Sequence, residues 1–197
     1  MDKIKPRNVI ARVFNKSLGF DALMRCLQTH GVDIYSSTGT YKHIKEKLEL
    51  SATDLAELTG QGPILGHRVV TLVPQVHAGL LSTPPMSKEM EDLGWSTFDM
   101  VIGTFYPLAK TMDQHPDDPD KINENVDIGG PTMIRSATKG NRIVVVDEND
   151  FDWVIQRLNS GGFTKQDIAW LQAKAIAAVA AYVATETVFR TNGLRPE

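Results

Sequence analysis

The sequence predicts an α/β fold, a three-layer sandwich in which helices cover both faces of a central, mostly parallel sheet. Short apolar stretches, typical of buried strands, alternate with longer amphipathic stretches, typical of helices. The length of 197 residues, with 42% hydrophobic and 23% charged residues, is enough for one globular domain with its own core. We see no internal repeat and no long linker, so we expect residues 1–197 to form a single domain.

The apolar stretches give the strands of the predicted sheet. The first of them, VIARVF, and the clearest, RIVVVD, are short runs rich in β-branched residues. A strand that delivers Arg68 and Thr71 is expected to break at Pro74, since proline cannot donate to a strand ladder. We predict strands over residues 9–14, 32–36, 68–72, 100–105 and 142–147.

The amphipathic stretches give the helices, and capping residues mark their ends. Gly31 follows the first helix, where glycine tolerates the left-handed conformation. Pro131 suits the first turn of the helix after Gly130, and Thr164 with Asp167 has the spacing of a capping box. We predict helices over residues 19–30, 41–48, 85–93, 131–138, 150–158 and 164–189, and a solvated connector over the Pro- and Asp-rich residues 113–125.

Charge and composition exclude several classes of partner. A formal charge of -3 and a pI near 6.0 leave no broad basic field for a polyphosphate backbone, so we expect no nucleic acid partner. The start MDKIKPRNV lacks the apolar run of a secretion signal, and we see no segment near the roughly 20 apolar residues of a membrane span. The single cysteine, Cys26, cannot form an internal disulfide. We therefore expect a cytoplasmic protein without a membrane partner.

The residues that follow the strands carry the chemistry, because ligands of parallel sheets bind at the carboxyl ends of the strands. Lys16 follows the first strand, and the second is followed by Ser37, Thr38, Gly39 and Thr40 ahead of a helix. Hydroxyls, free backbone N–H groups and an ammonium can bind a phosphate monoester, although the same turn could simply cap the helix. Tyr106 and the stretch VDIGGPTMIRSATKG occupy two further strand ends.

These motifs, taken in order, resemble the inosine monophosphate cyclohydrolase domain of bifunctional purine-biosynthesis proteins. NKS is similar to the family's Asp-Lys-Thr, and STGT to its Ser-Gly-Gly-Thr phosphate loop. ELTGQGPILGHRVVTLVPQVHAGLL, FYPL and VDIGG…IRSATK are similar to the family's ELTG…GRVKTLHP…HAGIL, LYPF and IDIGG…LRAAAK. The resemblance covers roughly residues 8–189. It implies a methylglyoxal synthase-like fold, usually dimeric, with the site at the strand ends.

The resemblance implies an enzyme that closes the ring of 5-formamidoimidazole-4-carboxamide ribotide to give inosine monophosphate and water, the last step of purine synthesis. No metal or cofactor is implied. Lys139 would donate and accept protons, Tyr106 would donate a hydrogen bond to the formyl oxygen, and Asp127 would orient the carboxamide. The implied substrate-binding residues are Asn15, Lys16, Ser37, Thr38, Gly39, Thr40, Arg68, Val69, Val70, Thr71, Gly103, Thr104, Ile128, Gly129 and Gly130.

Three positions differ from the family pattern. The family's lysine stands at Val70, its histidine at Val73, and its asparagine at Thr104. Either Lys139 and Tyr106 suffice without that lysine, another group replaces it, or the substrate differs. The functions left open are a stand-alone cyclohydrolase fed by a separate formyltransferase, a divergent paralogue that closes a related ribotide in specialised nucleoside metabolism, and a nucleotide-binding domain without turnover.

The spacing within the last motif raises a geometric question. A straight helix between Gly130 and Lys139 would separate these residues by about 13 Å, at a rise of about 1.5 Å per residue. A bound nucleotide could contact both ends, a bend could shorten the distance, or Lys139 could enter the site of a dimer mate. The sequence leaves all three arrangements open.

Overall fold

A five-stranded, all-parallel sheet forms the centre of the chain, in the strand order β3-β2-β1-β4-β5. The computed structural model describes residues 3–191. In the register of the sheet, Val9 of β1 lies between Ile34 of β2 and Met100 of β4. The α/β fold class is confirmed. The strands are β1 (Asn8–Arg12), β2 (Asp33–Ser36), β3 (Thr53–Asp54), β4 (Met100–Gly103) and β5 (Ile143–Val145).

The strand predicted over residues 68–72 is wrong. That segment turns instead of extending, and its only bridge within the described residues joins Val69 to Ile64. Gly66 and His67 both have positive φ, which reverses the chain just before the apolar run. Two polar residues, Thr53 and Asp54, supply the third strand.

Helices cover both faces of the sheet, as predicted. Asp54 and Asp118 cap two helices by accepting hydrogen bonds from backbone N–H groups, at 3.0 Å and 2.9 Å. The Thr164–Asp167 capping box is confirmed by reciprocal bonds of 2.8 Å and 3.1 Å. The helices are α1 (Leu18–Thr29), α2 (Thr38–Lys42), α3 (Leu55–Thr59), α4 (Pro74–Leu81), α5 (Ser87–Asp92), α6 (Leu108–Gln114), α7 (Pro119–Glu124), α8 (Gly129–Lys139), α9 (Phe151–Asn159) and α10 (Lys165–Thr191).

The helices differ from the prediction in several places, and α3, α4 and α6 were not predicted. The helix expected over residues 41–48 begins earlier, at Thr38, and continues as a π-helical turn over His43–Lys47. The solvated connector expected over residues 113–125 instead contains helix α7, because Asp118 caps its N-terminus and Pro119 occupies its first turn.

Two apolar clusters hold the layers together, one on each face of the sheet. Val9 and Ala11 point to the face covered by α1 and α9, where they pack with Phe20 and Phe151. Ile10 points to the opposite face, covered by α4, α8 and α10. The alternation follows from the period of two along a strand. Each fully buried large side chain contributes about 1.5–3 kcal/mol.

Arg142, which follows α8 in the chain, connects this segment to the end of α4. Its guanidinium donates to the carbonyl oxygens of Leu80 and Ser82 at 2.8 Å and 2.5 Å. These carbonyls lie at the end of α4, where the last helical acceptors have no partner within the helix. Arg142 therefore supplies the hydrogen bonds that close α4.

Helix α10 is longer than any other described element and reaches both apolar clusters. It contributes Leu171 to the first and Val179 to the second. By length and composition alone it could cross a membrane, so the expectation that no segment approaches such a span was wrong. The alanine-rich run and the helical residues on either side of it together give the required hydropathy.

Candidate functional site

Two adjoining cavities open where the strands end, at the edge that the sequence analysis singled out. The larger cavity has a volume of about 470 Å³ and the smaller about 190 Å³. Arg12, Thr38 and Tyr106 line both, so the two cavities form one continuous site.

Most of the sequence-predicted site residues line this site. Those in the larger cavity are Ser37, Thr38, Arg68, Val70, Thr71, Tyr106, Asp127, Ile128 and Gly129. Those in the smaller cavity are Lys16, Thr38, Gly39, Thr40, Thr104 and Tyr106. The structure thus brings together both ends of the proposed ligand site, while the role of each residue stays a prediction.

Five predicted residues lie outside both cavities within residues 3–191. The amide of Asn15 donates to Glu148 at 3.2 Å, and Gly103 lies under Ile134 in the core. The Gly130 amide, expected to face the heterocycle, donates to Asp127 at 2.8 Å instead. The other two are Val69 and Lys139.

Lys139 is far from the motif that precedes it. Helix α8 runs without interruption from Gly129 to Lys139, so no bend brings the two ends together in the described chain. Lys139 is exposed at the C-terminus of this helix. A single copy of the chain therefore leaves its ammonium outside both cavities.

The smaller cavity is built by the loop between β2 and α2. Thr40 is fixed to β1, because its hydroxyl donates to the Val13 carbonyl at 3.1 Å and accepts from the Val13 amide at 3.3 Å. Thr38 has a φ of 47°, a left-handed conformation that is strained for a β-branched residue. The fixed Thr40 and the left-handed Thr38 hold the loop in its turn beside Lys16.

Lys16 contributes the ammonium group of the smaller cavity. Its Nζ donates to the carbonyl oxygens of Val13 and Phe14, at 3.0 Å and 3.1 Å. Burial, and secondarily the positive charge of Arg12, lower the pKa of Lys16. Two cations so close together favour an anionic ligand between or beside them.

The larger cavity has a feature that the sequence analysis missed, a bidentate ion pair between Arg12 and Asp127. The two guanidinium nitrogens Nη1 and Nη2 donate to Oδ2 and Oδ1 of the carboxylate at 2.8 Å and 3.1 Å. The side chains are 20% and 2% exposed, respectively. The sequence did contain a signal, because Arg12 is a lone cation inside the apolar run VIARVF.

Two further hydrogen bonds fix Asp127. Its Oδ1 accepts from the Gly130 amide, and its own amide donates to the Tyr182 hydroxyl at 2.7 Å. Burial is the largest cause that raises the pKa of Tyr182 to about 12, so this hydroxyl stays protonated. A Cβ at position 130 would lie 2.7 Å from Asp127 Oδ2 and 2.8 Å from Arg12 Nη1, so the ion pair requires glycine there.

Tyr106 covers the other side of the Arg12 guanidinium. The guanidinium carbon lies 5.3 Å from the centre of the Tyr106 ring, within the range of a cation–π contact. The ring also packs edge-on against Phe14, with 5.4 Å between ring centres. Tyr106 is 45% exposed, so its hydroxyl can reach a ligand in either cavity.

The rim of the larger cavity carries two other arginines. Arg68 forms an exposed ion pair with Glu124, which raises the pKa of the arginine and lowers that of the carboxyl. Arg190 donates to Asn123 at 2.7 Å. Asn123, Glu124 and Arg190 were not predicted, because the first two lie in the segment interpreted as a connector and the third at the end of α10.

The three departures from the family pattern have separate surroundings. Val70 lines the larger cavity and gives it an apolar patch, whereas Val73 is buried in the core at the start of α4. Thr104 accepts a hydrogen bond from the Phe14 amide at 2.8 Å. Within residues 3–191 no group of three or more His, Cys, Asp or Glu side chains could hold a metal ion.

Comparisons with known proteins agree with the fold and with the motifs. The chain is 39% identical over 178 residues to the bifunctional purine biosynthesis protein PurH of Aquifex aeolicus, covering 88% of this chain and 35% of the relative. It is 35% identical over 189 residues to PurH of Cutibacterium acnes, covering 93% and 36%. The chain thus spans about a third of the length of these curated relatives.

A solved structure supports the fold, and a family model supports the family. The crystal structure of ForH superposes with a TM-score of 0.78 at 28% identity, and the match covers 93% of this chain and 98% of that chain. The model of the MGS-like domain matches residues 19–132, more than half of the chain. The chain therefore belongs to the MGS-like domain family.

Proposed function

We propose that this protein is an enzyme of purine biosynthesis that converts 5-formamidoimidazole-4-carboxamide ribotide to inosine monophosphate. The observation that carries the proposal is the continuous site, in which the smaller cavity offers Lys16 beside a hydroxyl-rich loop and the larger offers Tyr106 and the Arg12–Asp127 pair. A ribotide has the matching order of groups, with a phosphate at one end and a heterocycle at the other. The PurH names of the relatives support the same class of substrate.

In the proposed reaction the carboxamide nitrogen attacks the formyl carbon. A C–N bond forms, the electron pair of the formyl C=O bond moves to its oxygen, and the attacking nitrogen loses a proton. The oxyanion takes up this proton and becomes a hydroxyl group, which leaves as water when it accepts a second proton. The formamide nitrogen loses its own proton and forms a C=N bond to the same carbon. The protein must therefore stabilise an oxyanion and assist the transfer of two protons, one from each nitrogen, to the departing oxygen.

The phosphate is proposed to bind in the smaller cavity. Lys16 supplies the positive charge, and the Thr38 and Gly39 amides supply donors, with Ser37 next to them in the larger cavity. The open space at Gly39 supports this, because a Cβ there would meet no atom closer than 4.0 Å, the distance to Lys16 Nζ. The heterocycle then lies in the larger cavity beside Tyr106, which donates to the formyl oxygen.

Lys139 is proposed to act on the site of a second copy in a homodimer. An uninterrupted α8 and an exposed Lys139 outside both described cavities support this arrangement over a bend or a ligand that spans the helix. Mixing the Lys139→Ala and Tyr106→Phe variants tests it. If Lys139 acts on the partner's site, activity returns to about one quarter of wild type, since half of the dimers are mixed and one of the two sites in each mixed dimer is complete. If Lys139 acts on the site of its own chain, the mixture stays inactive.

The direct test of the function is an ultraviolet assay of the purified protein with 5-formamidoimidazole-4-carboxamide ribotide, following inosine monophosphate. We expect turnover that the Lys139→Ala variant lacks, with nucleotide affinity retained. We propose that such an enzyme acts in the cytoplasm on the product of a formyltransferase.

A second candidate function is closure of a related ribotide, and two observations favour it. Val70 places an apolar side chain in the larger cavity, and ForH matches over 98% of its chain. Absence of turnover, with the ribotide still protecting the protein against thermal unfolding, would support this candidate or a binding domain without turnover and would contradict the first proposal.

A further inference from the structure

The larger cavity presents one guanidinium that is held in place but incompletely hydrogen-bonded. An arginine carries five N–H donors. Within residues 3–191 two of those of Arg12 bind Asp127, which leaves three for a ligand. The carboxylate on one side and the Tyr106 ring on the other fix the plane of the guanidinium before any ligand binds.

Arg12 differs from the other arginines that line this cavity. Its side chain is 20% exposed, against 65% for Arg68 and 49% for Arg190. The other two are more exposed, pair with an exposed carboxylate at Glu124 and a partly buried one at Glu186, and are screened by solvent. Arg12 also lines both cavities, and it emerges from β1 at the centre of the sheet. A donor in such a place needs little reorganisation when charge develops next to it.

Asp127 cannot serve as an unoccupied carboxylate toward a ligand. Arg12 engages both of its oxygens, and Oδ1 also accepts from the Gly130 amide. Three of its roughly four lone-pair positions are therefore used. Val70 offers no cation to this cavity. Of the Arg12–Asp127 pair, the partner with hydrogen-bonding capacity left for a polar atom of the heterocycle is thus Arg12.

We propose that Arg12 contacts the carboxamide oxygen of the substrate, the atom that becomes the 6-oxo group of the purine, and that Asp127 acts by positioning Arg12. This inference rests on the proposed function. When the carboxamide nitrogen loses its proton, negative charge spreads onto the carboxamide oxygen. The guanidinium stabilises that charge through N–H donors that Asp127 leaves available. The positive charge absent at Val70 thus comes from Arg12 of β1.

Binding of two ribotides tests the contact without requiring turnover. The probes are inosine monophosphate and purine ribonucleoside monophosphate, which lacks the 6-oxo group and the proton on the neighbouring N1. The variants are Arg12→Lys, Arg12→Met and the double variant Arg12→Met/Asp127→Asn, which removes the buried carboxylate that a single change would leave unpaired. Arg135→Met, an exposed change on α8, is the matched control.

We expect wild-type protein and Arg135→Met to bind inosine monophosphate at least about tenfold more tightly than the probe without the oxo group, since a hydrogen bond to a charged donor is lost. The double variant should bind both probes equally, with its affinity for the second probe unchanged. Arg12→Lys should keep part of the preference, because a point charge replaces the planar fork.

Other outcomes overturn the inference. A double variant that keeps the wild-type preference places another donor at the oxo group. An equal loss of affinity for both probes would mean that Arg12 contacts the phosphate or stabilises the fold. Equal affinity of the wild-type protein for the two probes would exclude the contact with the 6-oxo group. These results differ from failure of the proposed function, which is absence of turnover by wild-type protein whatever the preference between the probes.

Discussion

Replacing Gly130 by alanine is expected to open the Arg12–Asp127 ion pair without changing either charged residue. The added Cβ would lie 2.7 Å from Asp127 Oδ2 and 2.8 Å from Arg12 Nη1, and real Cβ atoms do not approach other atoms so closely. Either the pair separates or the first turn of α8 moves. In both cases Asp127, which is 2% exposed, loses its best partner.

The size of the effect follows from two opposing terms. Breaking a buried ion pair costs about 3–5 kcal/mol, and the lower end applies here because Arg12 keeps 20% exposure to solvent. Alanine regains about 1 kcal/mol over glycine inside a helix. We therefore expect a net loss of about 2 kcal/mol in the free energy of unfolding.

Urea unfolding followed by tryptophan fluorescence measures this loss. Gly62→Ala is the control, since a Cβ at position 62 meets nothing within 4 Å and should change the free energy of unfolding by less than about 0.5 kcal/mol. The Gly130→Ala variant should also lose affinity for inosine monophosphate. A variant as stable as Gly62→Ala, with unchanged affinity, would refute the claim that the ion pair organises this site.

Four other outcomes are expected. Lys16→Ala should weaken binding of a ribotide more than of the corresponding nucleoside, and equal losses would remove Lys16 from the phosphate site. The ammonium form of Lys16 binds phosphate and its pKa is lowered, so the affinity for inosine monophosphate should decrease with rising pH at a lower pH than for an ordinary lysine. Arg12→Met should move this decrease to higher pH, and a decrease at the same pH would exclude the effect of the Arg12 charge on Lys16. Arg142→Met should destabilise the fold by roughly 2–4 kcal/mol in urea unfolding, because acceptors at the end of α4 lose their donors, whereas Arg135→Met should change it by less than about 0.5 kcal/mol. Thr164→Ala should cost about 1 kcal/mol in the same assay, and no loss would mean that the capping box does not stabilise α10.

The sequence was informative about the fold where local patterns and the tertiary structure agree. Short β-branched runs predicted four of the five strands, and capping residues located the start of α10. The strand at Thr53–Asp54 has no such pattern, because its pairing with β2 is set by the neighbouring strand and not by its own two residues. The run that includes Val69 and Val70 has the composition of a strand but follows a reversal of the chain at Gly66 and His67.

The candidate site was predictable where chemistry follows directly after a strand. Lys16, the loop over residues 37–40 and Asp127 were found in this way. Arg12 was missed because its partner lies 115 residues away, and no local periodicity reports such a pairing. The relation of Lys139 to the site could not be predicted from the sequence. The helix fixes its distance from Gly129, but contacts with a second copy of the chain do not follow from the helical pattern.

The Arg12–Asp127–Tyr182 connection has a consequence for synthesis of the protein. Arg12 comes from the first strand, Asp127 precedes α8, and Tyr182 lies in α10, 55 residues further along the chain. A chain emerging from the ribosome cannot complete the larger cavity until α10 has left the exit tunnel and docked. Ligand binding by a nascent chain would therefore report the docking of α10, and nucleotide present in the cell would stabilise only chains in which α10 has docked.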